Sequence, residues 1–109
     1  MPTTETPVLD LLARMNADSI DASTLDAEAL LLVRIAALVA VDAPPVSYLM
    51  HLGAANDLNL SLEDLQGTFA AVAPIVGTAK VAAAATNLAR ALGIAVAIAE
   101  EEDAANGRA

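Results

Sequence analysis

Cysteine is absent from this chain, which excludes disulfide frameworks, thiolate zinc sites, iron–sulfur clusters and all thiol-based peroxidase or redox chemistry. Aromatic residues are almost absent too. One tyrosine, one phenylalanine and no tryptophan leave no platform on which single-stranded bases could stack. Positive charge is scarce: five bases stand against 14 acids for a net charge of −9, and Arg14, Arg34, Lys80, Arg90 and Arg108 are scattered along the chain. Such a surface repels phosphate backbones, so no nucleic-acid partner is expected. Gly53, Gly67, Gly77 and Gly93 never form a G-x-G-x-x-G or Walker pattern, and no nucleotide fold is indicated.

Long spanning runs are missing as well. The longest apolar stretches are Leu30 to Val41, interrupted by Arg34, and Ile94 to Ala99. Both fall short of the about 20 apolar residues a membrane helix needs, and Asp26, Glu28 and Asp42 bracket the first. Met1 to Asp10 carries Glu5 and Asp10 without a basic cluster, unlike a secretory signal. No membrane partner is expected, and the expected location is the cytoplasm.

What the chain does have is grease and helix formers. Its apolar share is 57% and its charged share 17%, against roughly 45–50% and about 25% in ordinary soluble domains. A chain of 109 residues makes one domain with little interior in which to hide that excess, so homo-oligomerisation is expected. Alanine fills 27 positions and leucine is plentiful, which favours helix nearly everywhere, and no strand pattern is present. The predicted fold class is all-α, a compact bundle of five to six helices.

Local signals place the helix boundaries. Ser23-x-x-Asp26 and Ser61-x-x-Asp64 resemble capping boxes, each just before an apolar-periodic run. Asp42-Ala43-Pro44-Pro45 and Ala73-Pro74-Ile75-Val76-Gly77 mark breaks. The resulting helices are Val8 to Met15, Thr24 to Val41, Val46 to Leu58, Leu62 to Val72 and Thr78 to Leu92. A last segment runs from Ile94 toward Glu102 beyond Gly93. Residues 1–7 are expected to be disordered, 8–100 to form the domain, and the acidic stretch 101–109 to fray, because four acids oppose the helix dipole there. The second helix, apolar nearly all round, is predicted to be central and buried on several sides.

Two side chains carry chemical interest. Arg34 is the only charge between Glu28 and Asp42, and its helical neighbours Leu30, Leu31, Ala37 and Leu38 offer no ion partner. Its guanidinium needs a carboxylate or carbonyl from elsewhere in the fold, another subunit or a bound anion. His51 is the only histidine, with Ser47 one helical turn before it on the same face. Three roles are open to it: a Ser–His dyad, a lone general acid or base of the kind imidazole suits near neutral pH, or a structural or interface residue. No nucleophile elbow surrounds Ser47. One histidine without cysteine or a nearby carboxylate pair cannot complete a transition-metal shell, so neither metal nor cofactor is expected.

Leu31-Leu32-Val33-Arg34-Ile35-Ala36-Ala37-Leu38, Pro45, His51-Leu52-Gly53-Ala54-Ala55, Ser61-Leu62-Glu63-Asp64-Leu65 and Ala73-Pro74-Ile75-Val76-Gly77 together resemble the carboxymuconolactone decarboxylase-like family, which includes the alkylhydroperoxidase D proteins. The resemblance covers roughly Thr24 to Leu92. It implies an all-helical fold assembling into trimers, hexamers or larger rings, with a pocket near the family histidine. The peroxidase branch uses a Cys-x-x-Cys-x-x-x-His motif, which aligned on His51 places its cysteines at Pro44 and Ser47. That branch's glutamate falls near Leu32, with Glu28 one turn earlier, so peroxidase activity is not implied. The decarboxylase branch keeps the histidine without cysteines and would hold an acidic lactone with basic side chains, for which His51 and Arg34 remain. The candidate set is therefore His51 for catalysis, and Arg34, Ser47 and Tyr48 for binding a small carboxylate- or lactone-bearing ligand. The competing expectation is a non-catalytic oligomeric helical module.

Overall fold

Pro7 opens the first of the five helices among the described residues, its missing N–H harmless at a position where that donor has no partner anyway. The structure, a computed structural model, describes residues 5–107. Of the start expected to be disordered, residues 1–4 lie outside that range, and Pro7 already belongs to a helix. The helices are α1 (Pro7–Ala22), α2 (Ala27–Ala40), α3 (Pro45–Asp57), α4 (Leu62–Val76) and α5 (Thr78–Ala105), with no strand among the described residues. The all-helical class expected from composition is therefore present, with five helices.

Helix α1 runs a full two turns past the expected end at Met15, since nothing between Asn16 and Ala22 breaks it. Its end also shifts the cap of α2. Asp26 itself caps that helix, accepting from the Ala29 N–H at 2.8 Å, and Ser23 Oγ instead accepts from the Leu25 N–H at 3.1 Å in the connecting turn. A carboxylate at this position also meets the positive end of the helix dipole. Asp26→Ala is expected to cost about 1 kcal/mol of stability, and Ser23→Ala about half that or less, in urea unfolding of the two variants. The second predicted box is complete: Ser61 Oγ accepts from the Asp64 N–H at 3.1 Å, and Asp64 Oδ2 accepts from the Ser61 N–H at 2.9 Å.

Leu31, Ile35 and Val39, spaced four apart, form the buried stripe of α2, which packs against α3, α4 and α5. The helix is central as expected but not buried all round, since Val33 stands 55% exposed on its other side. Tyr48, Ile35 and Val39 are the largest fully buried side chains, and Tyr48 meets Phe69 edge to face with ring centres 6.4 Å apart. On α5 the buried residues are Ala84, Leu88 and Ala91, and the small size of the two alanines lets α3 lie close along it. The turn from α2 to α3 passes through Asp42 in the left-handed region, at φ 55°. Two bonds pin that turn to α5: Lys80 Nζ donates to the Ala40 carbonyl at 2.9 Å and Asn87 Nδ2 to the Ala43 carbonyl at 3.1 Å.

The break expected between Ala73 and Gly77 occurs only at Gly77, and the one expected at Gly93 does not occur. Pro74 lies inside α4, near its end and on an exposed flank, so the Ala70 carbonyl that loses its donor stands on the solvated side. Gly93 lies inside α5, which continues to Ala105 through the acids expected to fray; residues 108–109 of that tail lie outside the described range. The uninterrupted α5 corrects the reading of short apolar runs. Among the described residues it is the one helix long and apolar enough to cross a membrane by length and composition, with mean hydropathy 1.7 over 18 residues, of which 17% are buried.

Candidate functional site

Arg34 and His51 both line one groove, a cavity of about 660 Å³ formed by α1, α2 and α3. Leu9, Leu12 and Ile20 form its α1 wall, Leu30 and Leu31 its α2 wall, and Met50, Ala54 and Leu58 its α3 wall. Leu9, Leu12 and Met50 are 63%, 49% and 74% exposed, so the groove is open along its rim. Its polar side chains are Asn16, Arg34 and His51, and no acid lines it although the chain carries 14. Asp26 and Glu28, the acids nearest in sequence on α2, border a separate shallow hollow.

Arg34 is half-buried rather than enclosed on a central helix. Its Nη1 donates to Asn16 Oδ1 and its Nη2 to Ser19 Oγ at 3.0 Å, both from α1. These two acceptors are neutral, so they fix the fork of the guanidinium without offsetting its charge. The partner predicted for Arg34 is thus an amide carbonyl oxygen and a hydroxyl. Neither was found from the sequence, where the first helix was expected to end at Met15. The missed signal is the lack of any breaker between Met15 and Ser23, which carries Asn16 and Ser19, three apart, onto one face.

His51 is half-buried on α3, and its Nδ1 lies 2.7 Å from the Ser47 carbonyl oxygen. An imidazole nitrogen facing a carbonyl must be the protonated one, which leaves the lone pair of the neutral ring on Nε2. That tautomer suits proton acceptance at Nε2. The Ser47 contact runs through its backbone oxygen, not the hydroxyl that a Ser–His dyad would use. Ser47 does not line the groove.

Tyr48 is placed elsewhere. It sits in the core with 0% exposure, and its hydroxyl is buried with no hydrogen-bond partner among the described residues. Burial raises its pKa above 10.0, and the nearby charge of Asp42 raises it further. Of the four candidate residues, then, the groove brings together His51 and Arg34, leaves Ser47 at its margin as a carbonyl, and excludes Tyr48. No group of three histidine, cysteine, aspartate or glutamate side chains is placed to hold a metal ion among the described residues. No family model matches the chain, and neither a curated protein nor a solved structure does.

Proposed function

We propose that the chain is a carboxymuconolactone decarboxylase-like domain without the peroxidase thiols, working as a homo-oligomer that takes up a small carboxylate- or lactone-bearing molecule in the groove between α1, α2 and α3. One observation carries this reading: in a chain of net charge −9, the groove holds an arginine and a histidine and no acid. The family resemblance of residues 24–92 adds to it. The apolar walls suit a ligand with a hydrocarbon body and few polar groups. Its anionic end replaces Asn16 and Ser19 on Arg34, exchanging two neutral acceptors for a carboxylate that the guanidinium fork can meet with both partners charged. His51 is the general acid or base, with Nε2 taking or giving the proton.

A thermal-shift screen of monocarboxylates and lactones tests this reading. At least one compound is expected to raise the melting temperature of the wild type, with binding weakened at least tenfold in Arg34→Met and lost in His51→Ala. Equal binding in all three proteins would remove both residues from the site. A second reading draws on the two bonds from Arg34 to α1, which give that side chain a structural task. In that reading the domain is a non-catalytic oligomeric module. Arg34→Met then lowers the melting temperature while no compound in the screen shifts any of the proteins.

A further inference from the structure

Helix α1 has no buried residue, yet it carries two apolar stripes. Leu9, Leu12 and Ile20 face the groove. Val8, Leu11 and Met15, at i, i+3 and i+7, form a second stripe that is 66%, 48% and 57% exposed and lies outside that groove. A helix with apolar residues on two sides is stable when both are covered, and its own chain covers one in part.

Helix α5 presents the same problem at the other end of the chain. Its 28 residues extend about 42 Å, roughly twice the length of the 13-residue α3 on which it packs. The inward stripe of Ala84, Leu88 and Ala91 continues past the core as Ile94 and Ile98, which are 43% and 46% exposed. The packing face of α5 overhangs its own chain.

The surface area measures how much is uncovered. The chain exposes 7503 Å², against about 5,600 Å² for a compact monomer of 11.0 kDa, a difference of roughly 1,900 Å². Its radius of gyration is 16.0 Å, where about 13 Å is usual for this length. A standard interface takes about 800 Å² from each partner, so the difference accommodates two such faces.

We propose that a second copy of this chain covers the outer stripe of α1 and a further copy the overhang of α5, and that this clamp holds α1 in place as the outer wall of the groove. Two different faces on each copy make head-to-tail contacts, the arrangement that builds a ring where the rotation between copies closes and a filament where it does not. The outer wall of the groove then gains its support from the neighbouring copy, because Leu9, Leu12 and Asn16 stand on a helix that its own chain does not bury. This rests on the oligomeric part of the proposed function and specifies which surfaces meet. A second copy fits α5 better than a lipid bilayer does, because Arg90 on one side and Glu100, Glu101, Glu102 and Asp103 on the other confine the overhang to nine uncharged residues, far short of a membrane span.

Light scattering on the full chain at micromolar concentration is expected to give at least three times 11.0 kDa. The double variants Leu11→Glu with Met15→Glu, and Ile94→Glu with Ile98→Glu, are each expected to reduce the mass of the assembly. Should either pair unfold, amide exchange of the wild type across a dilution series replaces it. The α1 amides are expected to lose protection as the assembly dissociates, ahead of those of α2. Three outcomes would overturn the proposal: a wild type of single-chain mass, variants of unchanged mass with unchanged exchange, or a monomeric wild type that binds phosphatidylcholine vesicles. Ligand shifts in the wild type are read separately, so a failed anion screen leaves this measurement standing, and a single-chain mass leaves the anion result standing.

Discussion

Tyr48→Ala is expected to lower the free energy of unfolding by about 3–5 kcal/mol, the usual range for truncating a large buried aromatic side chain. Tyr48 has no exposed surface and meets Phe69 edge to face, so the truncation leaves a cavity and strips Phe69 of its ring partner. Tyr48→Phe is expected to act in the opposite direction. Its hydroxyl is buried without a partner, and a buried unsatisfied polar group costs about 1–3 kcal/mol, so removing the oxygen while keeping the ring raises stability.

The pH dependence separates these effects. Because burial and Asp42 raise the phenol pKa in the folded protein, the unfolded chain gives up that proton first as the solution becomes alkaline. The contribution of Tyr48 is therefore complete below pH 10.0 and is lost as pH rises through the folded-state value. Urea unfolding of wild type and Tyr48→Phe on either side of that pH checks the sign. The gap between them is expected to widen in favour of phenylalanine above it, and an unchanged gap would mean the phenol ionises alike in both states.

Gly77→Ala is expected to destabilise by about 1–3 kcal/mol, the cost of holding a non-glycine residue in a sparsely populated backbone region. Gly77 alone separates α4 from α5, at φ 92° and ψ 163°. A Cβ there meets nothing within 4 Å, so the cost is all backbone strain rather than a clash. Gly67 is the control. It lies inside α4, its Cβ also meets nothing within 4 Å, and Gly67→Ala is expected to stabilise by up to about 1 kcal/mol through helix propensity. Thermal unfolding of the two variants should move in opposite directions, and a shared direction would contradict the assignment of Gly77 to the turn.

The parts of the fold that could be read from the residues are those whose signal is local and self-contained. Ser61 and Asp64 satisfy each other's amides three positions apart, so that helix start is visible in four letters. Pro44 and Pro45 mark the entry to α3 for the same reason. Ser23 and Asp26 make the identical pattern, yet α1 persists to Ala22 and takes Ser23 as its C-terminal cap, leaving Asp26 to cap alone. Pro74 and Gly93 weaken a helix without ending it, and whether they end it depends on solvent exposure and neighbouring turns rather than on residue type.

The site divides along the same line. Arg34 and His51 stand out because each is rare in its surroundings, and a guanidinium among leucines demands acceptors. That Asn16 and Ser19 supply them was not legible, because the sequence separation of 18 and 15 residues depends on how α1 folds back over α2. Tyr48 adjoins Ser47 in sequence, and its place in the core follows from which side of α3 meets α2 and α5.

An anion travelling toward Arg34 first crosses the repulsive field of the whole molecule, since the groove is bare of acids while the remaining exterior is rich in them. Added salt therefore has two opposing actions on a charged ligand. It screens the long-range repulsion and quickens encounter, yet it also weakens the attraction to the guanidinium once contact is made. Association and dissociation rates should both climb with ionic strength, a kinetic signature that a neutral lactone, indifferent to either field, would not share.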